Sequence, residues 1–241
     1  MYLKQMLPGQ IHEAAETDWP VLLPIGCVEC HGYHLPVGCD TLIVEEVVRR
    51  LERRIGCVVA PTVDYGPTGY AVSGPELGTI DVSYEQLLPY ARAVLEGLVA
   101  LGLRRIIVLV FHQGENGQLA TSFRLAGMRI MDEAARREQG NGWWGAKGPE
   151  ERAPVPCSIS VRCVVHPQSS PPAGGDHAGI NETSYMLAAC GHAVDMSRLR
   201  EDKPWYTVGE GRRAADGSVE RGERMFEAMV NAWAEELGKR R

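Results

Sequence analysis

Short, nearly continuous apolar runs alternate along this chain with longer stretches in which apolar residues recur every three or four positions. The short runs predict strands and the long ones helices. Residues 21–26 (VLLPIG) read as a buried strand, followed by a loop rich in Gly, Pro and His. Asp40 or Thr41 then caps a helix whose apolar positions Ile43, Val44, Val47, Val48, Leu51 and Ile55 keep helical spacing up to Gly56. Residues 57–61 (CVVAP) predict the next strand. After a turn-rich segment reaching Ile80, Ser83 and Gln86 stand at capping-box spacing and open a helix that closes near Gly102. Residues 105–111 (RIIVLVF) are the clearest strand, apolar at nearly every position, as suits a parallel strand covered on both faces. A helix over about 119–137, a Gly-rich polar segment with Trp143 and Trp144, a strand around 158–165, a helix over 180–190 and an amphipathic helix over about 219–237 follow.

Strands alternating with helices predict an α/β fold, a three-layer α/β/α arrangement around a mostly parallel central sheet. No repeat or low-complexity linker divides the chain, and 241 residues suit one sizeable core, so residues 1–241 read as a single domain. Residues 139–153 and 196–216 read as surface excursions.

Composition narrows the class. Hydrophobic residues make up 44% and charged residues 23%, which excludes disorder and fibrous architectures. The formal net charge of −6 comes without a long basic run, so a surface tracking nucleic acid has no electrostatic support. No apolar stretch is long enough to span a membrane and the N-terminus lacks a signal-peptide layout, which predicts a cytoplasmic protein. Seven cysteines, an odd number, then read as reduced and mostly buried. Cys27 and Cys30 form a C-x-x-C, but no second pair follows and it does not open a helix, so neither a zinc ribbon nor thioredoxin chemistry is favoured.

The polar residues that matter fall just after predicted strands, where parallel sheets open a ligand crevice. Glu29, His31, His34 and Asp40 lie within twelve residues, in a segment too rich in Gly and Pro to be helical. Carboxylate, imidazole and carboxylate together form a donor set for zinc, manganese or iron. Glu29 and His31, two apart on extended chain, point to one side and suit adjacent ions, while the two oxygens of Asp40 suit a bridge. The plainer reading makes Glu29 and Asp40 solvated loop acids and Asp40 an N-cap. His112, Glu115 and Asn116 follow the strongest strand; Asp176, His177, Glu182 and Ser184 follow the strand around 158–165.

LPIGCVECHGYHLPVGCD, the Gly78-Thr79-Ile80 turn, FHQGEN and HAGINETS, in that order and spacing, resemble the creatininase (creatinine amidohydrolase) family over nearly the whole chain. The resemblance implies a dinuclear metal centre held by Glu29, His31, a bridging Asp40 and His112. The fifth ligand is placed at Glu182, with Glu115 as competitor and alternative catalytic acid. It also implies His177 as proton donor to the leaving group, His34 as a residue orienting a ligand, and a homo-oligomer, with a hexamer built from dimers as one form. Two ions a few ångströms apart lower the pKa of a bridging water and polarise a carbonyl, while an imidazole shuttles the proton. The departures concern substrate: Cys30 stands where a polar residue such as glutamine is usual, Phe111 replaces a glycine, and HQGEN is one residue longer than the common pattern. Cys30 is read as a packing residue ahead of a ligand or a redox liability. Tyr33, Gln113 and Asn116 are placed around substrate, and Trp143 and Trp144 line either the pocket or a subunit interface.

These readings predict a metal-dependent hydrolase of a small molecule containing a cyclic amide or related C–N carbonyl. The alternatives are a hydrolase of a cyclic ketone or lactone such as an inositol-derived ring ketone, a formamide hydrolase, and a non-catalytic metal-binding assembly partner. The last requires a missing ligand, and every expected position is filled.

Overall fold

The computed structural model describes residues 1–17, 19–153, 156–170, 173–200 and 213–238. Its elements run α1 (Pro8–Glu16), β1 (Pro20–Ile25), α2 (Cys39–Glu52), β2 (Val58–Val59), α3 (Tyr84–Ala100), β3 (Arg105–Val110), α4 (Gln118–Gln139), α5 (Trp143–Ala146), β4 (Ser158–Cys163), α6 (Ile180–Cys190) and α7 (Val219–Gly238), joined by short 3-10 turns. Among the described residues, four strands form one parallel sheet in the order β2-β1-β3-β4.

Side chains alternate across this sheet and both faces are covered. Val21, Leu23 and Ile25 of β1, with Ile106, Val108 and Val110 of β3, pack against α1, α3 and α4. Leu22, Ile107 and Leu109 turn the other way, onto α2, α6 and α7. This is the three-layer α/β/α arrangement, and burial on both sides explains why β1 and β3 read as unbroken apolar runs. Trp233 of α7 is fully buried and donates its indole N–H to the Val164 carbonyl at 2.7 Å, so its one polar atom is satisfied inside the core. Gly222 lets α7 cross α6 closely, because a Cβ there would lie 2.1 Å from the Ser184 carbonyl oxygen.

The elements differ from expectation at the N-terminus and at β2. Helix α1 falls where the sequence suggested no element: Pro8 stands at its first turn and Gln10 Oε1 accepts from the Leu7 N–H at 2.8 Å, but only Ala14 is buried, so the apolar signal is weak. β2 shrinks to two residues, with the Ala60 N–H donating to Leu22 at 2.9 Å and Pro61 having no N–H to extend the ladder. Its outer side meets Tyr2 through a parallel bridge at Val59. Residues 139–153 are an excursion containing α5, while most of 196–216 lies outside the described residues. No helix among the described residues is long and apolar enough to cross a membrane.

Candidate metal centre

Ile25, Val110 and Cys163 are in register, so β1, β3 and β4 end level and send their following loops off one edge of the sheet. Those loops carry the three polar constellations. The first begins at Gly26, where any side chain would collide with Thr41: a Cβ would lie 2.5 Å from Thr41 Oγ1 and 2.8 Å from its backbone. The close approach seats the loop against the start of α2. Backbone bonds from Glu29 N–H to Val37 (2.9 Å) and from Ile80 N–H to Val28 (2.9 Å) then pin it, with Cys30 N–H donating to Thr79 Oγ1 at 3.1 Å.

The helix begins earlier than expected, and this corrects the role of Asp40. Gly38 occupies the cap position and Asp40 sits in the first turn, 3% exposed, with its carboxylate turned inward rather than capping. His112 follows β3 directly, and left-handed Gln113 (φ 53°) and Gly114 (φ 63°) turn the chain away behind it. His177 and Ala178 both have positive φ (38° and 62°), a strained pair that swings the His177 ring towards the first loop.

The result is a buried cluster divided by Asp40. On one side, Asp40 Oδ2 lies 3.0 Å from His112 Nδ1, which lies 3.3 Å from Glu29 Oε2. On the other, Asp40 Oδ1 lies 3.4 Å from His31 Nε2, which lies 3.6 Å from Glu182 Oε2. Donor atoms of Cys27, Glu29, Asp40 and His112 fall within 4.8 Å of one another, as do those of Glu29, His31 and His177 and those of His31, Cys39 and Glu182. Carboxylate oxygens, imidazole nitrogens and a thiol so spaced are a donor set that divalent ions fit.

Backbone carbonyls set the tautomers. His31 Nδ1 lies 3.0 Å from the Glu29 carbonyl and His112 Nε2 lies 3.1 Å from the Pro67 carbonyl. A carbonyl only accepts, so these nitrogens carry hydrogen and the other nitrogen of each ring faces the carboxylates. Asp176 accepts from the N–H groups of Asn181 (2.8 Å) and Glu182 (3.1 Å), tying down the first turn of α6, while Ala178 N–H donates to Glu182 Oε2 at 2.6 Å. His34 Nε2 lies 3.0 Å from Thr183 Oγ1, linking the first loop to α6.

The electrostatics follow from three buried carboxylates facing two imidazoles. Burial alone would push His31 down, but Asp40 and Glu182 raise it to about 10. His112 is likewise opposed by burial and raised further still, by hydrogen bonds to Asp40, Cys27 and Glu29. Burial acts against Asp40's charge too, yet the two imidazoliums hold its carboxyl well below the usual range. Burial lifts Glu182 to about 7 against the attraction of His31, with the charge of Asp40 adding to the rise. His177 stacks on His31, ring centroids 4.3 Å apart, and burial together with that neighbouring imidazolium lowers it to about 4. Without metal, protons take the places that cations would fill.

Several expected residues lie elsewhere. Glu115 is outside the cluster: its side chain is 42% exposed, accepts from the Cys163 N–H at 2.9 Å and faces Arg162 at 3.6 Å. The left-handed turn at Gln113 and Gly114 precedes it, and its carboxylate lies against β4. Gln113 and Asn116 are exposed, and Gln113 Oε1 turns back to Gln118 N–H. Tyr33 is 45% exposed with Arg200 stacked 3.8 Å over its ring. Trp143 and Trp144 flank Arg152 at 5.5 and 5.6 Å. Cys30 is buried, its thiol 3.7 Å from the Gly32 carbonyl. Sequence reasoning missed Cys27 and the linking role of Thr183. Cys27, Glu29 and His31 alternate on extended chain, a signal that pairing Cys27 with Cys30 obscured. A cleft of about 350 Å³ lined by Tyr2, Leu42, Arg49, Val59 and Cys190 contains none of the cluster residues.

A parallel α/β sheet bearing such a cluster at its carboxyl edge defines a class, and comparison with known proteins narrows it. A family model described as creatinine amidohydrolase matches residues 4–237, and the chain belongs to the creatininase family of metal-dependent hydrolases. It is similar to the creatinine amidohydrolase of Pseudomonas putida, 25% identical over 245 residues and covering 92% of this chain and 90% of that protein. It is also similar to the mycofactocin precursor peptide peptidase of Mycolicibacterium smegmatis, 27% identical over 242 residues (90% of this chain, 83% of that protein). The 3-dehydro-scyllo-inosose hydrolase of Thermotoga maritima is 31% identical over 115 residues, covering 48% of this chain and 37% of that protein. Among solved structures, the manganese form of creatininase superposes with a TM-score of 0.72 at 22% identity, covering 98% of this chain and 96% of the other. A zinc–zinc form of a creatininase mutant superposes with a TM-score of 0.71 at the same identity and coverage.

Proposed function

We infer that this chain is a dinuclear metal hydrolase acting on a cyclic amide or a related C–N carbonyl compound. The observation that carries the reading is the division of the cluster by Asp40, whose two oxygens face two different imidazoles at 3.0 and 3.4 Å. In this reading Glu29, Asp40 and His112 hold one divalent ion, and His31, Asp40 and Glu182 hold the other, as zinc, manganese or iron. Bound ions supply Lewis acidity towards a carbonyl and a water of lowered pKa. The chain itself supplies orientation and proton handling. Peptide carbonyls lock His31 and His112 in the tautomers that face the carboxylates, and Asp176 with the Ala178 N–H fixes Glu182. His177 is 18% exposed at its side chain, its Nε2–H is engaged by the Cys30 carbonyl at 3.1 Å, and its Nδ1 faces the cluster 3.9 Å from Glu29. A neutral imidazole so placed accepts a proton at Nδ1 and passes it to a leaving nitrogen.

Cleavage of a C–N bond is supported by the names of relatives that align over most of the chain, among them an amidohydrolase and a peptidase. The resemblance to an inosose hydrolase over 115 residues supports the second reading, opening of a ring ketone. A panel of cyclic ureas, lactams and formamides, assayed for amine or ammonium release, tests the first. Acid formation from a ring ketone with no nitrogen released would favour the second. Self-association belongs to the same proposal and is supported by exposed Tyr84, Tyr90, Leu125 and Met128; light scattering in solution tests it.

A further inference from the structure

We propose that Cys27 is a metal ligand, giving one half of the centre a sulfur donor and making the two metal positions chemically unequal. The inference rests on the dinuclear reading above and goes beyond it.

Cys27 is fully buried, yet it belongs to neither apolar cluster of the core. Its Sγ lies 3.2 Å from Asp40 Oδ2 and shares with Glu29 and His112 a space in which all four donor atoms are within 4.8 Å. Three separations, 3.2 Å (Cys27 to Asp40), 3.0 Å (His112 to Asp40) and 3.3 Å (His112 to Glu29), are edges of one small polyhedron. A tetrahedron with metal–ligand bonds of about 2.0–2.3 Å has edges of roughly 3.3–3.7 Å, so an expansion of a few tenths of an ångström admits an ion.

Cys39 is the natural competitor, because its thiol lies within the same range of His31 and Glu182. Its surroundings differ: it packs with Leu22, Leu35 and Ile43 in the apolar layer under α2. The structure therefore assigns the sulfur to the Glu29–His112 half. That half has four protein donors and is closed, whereas the His31–Glu182 half has three and keeps a position for water or substrate. Four donors including a thiolate favour zinc over manganese, since sulfur is a soft ligand. The thiol proton leaves as the ion enters, so one proton is released with the bond that forms.

Cobalt(II) loading of the metal-stripped, full-length protein tests this, read as metal content and as the near-ultraviolet sulfur-to-cobalt charge-transfer band. The wild type is expected to show the band. Cys27→Ser should abolish it and weaken zinc binding at that half by about tenfold or more, with manganese binding little changed. Cys39→Ser should keep the band. Absence of the band in the cobalt-loaded wild type, or its persistence in Cys27→Ser, overturns the proposal. If Cys27→Ser does not fold, the Cys39→Ser spectrum decides: a band that persists there supports Cys27, and a band lost there overturns the proposal. Uptake of one ion with the band present defeats the dinuclear reading but supports Cys27, two ions without the band do the reverse, and no uptake defeats both.

Discussion

Asp40 meets His112 through one carboxylate oxygen, Oδ2, at 3.0 Å, leaving Oδ1 for His31 at 3.4 Å. If that division is the bridge proposed here, one substitution acts on both metal positions. Asp40→Ala is expected to lose both ions when metal content is measured by mass spectrometry after dialysis. Two tightly held ions in the variant would show that Asp40 does not bridge.

The two candidate acids separate cleanly. Glu182→Gln keeps an acceptor for the Ala178 N–H but removes a charge beside His31. It should cost one ion and about 100-fold or more in kcat. Glu115→Gln, at a half-exposed carboxylate that accepts from the Cys163 N–H of β4, should leave metal content and kcat essentially unchanged. The opposite ranking would return the fifth position to Glu115.

His177 lies within reach of Glu29 and His31 but faces neither oxygen of Asp40 among the close pairs of the two triads. His177→Gln should lower kcat by about 10²- to 10⁴-fold while leaving metal content at the wild-type value. Loss of an ion in this variant would make His177 a ligand rather than a proton carrier.

Stability should depend on pH in opposite ways with and without metal. In the metal-free protein His31 titrates near 10 against an ordinary 6.5, so the folded state holds a proton that the unfolded chain has released between those values. Glu182, raised to about 7 from 4.5, does the same in the window below. More protons on the folded state means that stability falls as pH rises from about 6.5 to about 10, while below that His177, lowered to about 4, opposes Glu182. Divalent ions replace those protons and bind more tightly as pH rises. The difference in melting temperature between metal-loaded and metal-free protein should therefore widen from about pH 6 to about pH 9. A constant or shrinking difference in scanning calorimetry would contradict it.

The seating of the first loop depends on a missing side chain. Gly26→Ala would place a Cβ 2.8 Å from the Thr41 backbone, where no flexible group can yield. Destabilisation of about 1–3 kcal/mol is expected in denaturant unfolding, along with weaker metal retention as α2 shifts under Asp40.

Hydropathy alone determined the alternation of the strands with α2, α3, α4, α6 and α7 and the doubly covered sheet, but not α1 or α5, where little is buried. A strand such as β3, buried on both faces, and a helix such as α7, buried on one, leave different periods in the residues themselves. The donor-rich loops were legible for the same local reason, since glycine and proline just past a strand end regular structure, and the ionisable residues there are buried against one another rather than in the apolar layers. Tertiary structure alone decided which donors meet. Glu115 and Glu182 both follow strands whose ends lie at one edge, and only the path of each loop turns one carboxylate onto the backbone of β4 and the other towards His31. The same holds for the start of α2, where Gly26 against Thr41 sets Asp40 inside the first turn. Cys27 looked like half of a C-x-x-C until the fold placed its thiol beside Asp40, 13 residues along the chain. Donor geometry arises between segments remote in sequence, and periodicity, which records only whether a position is buried, carries no record of which buried partner it faces.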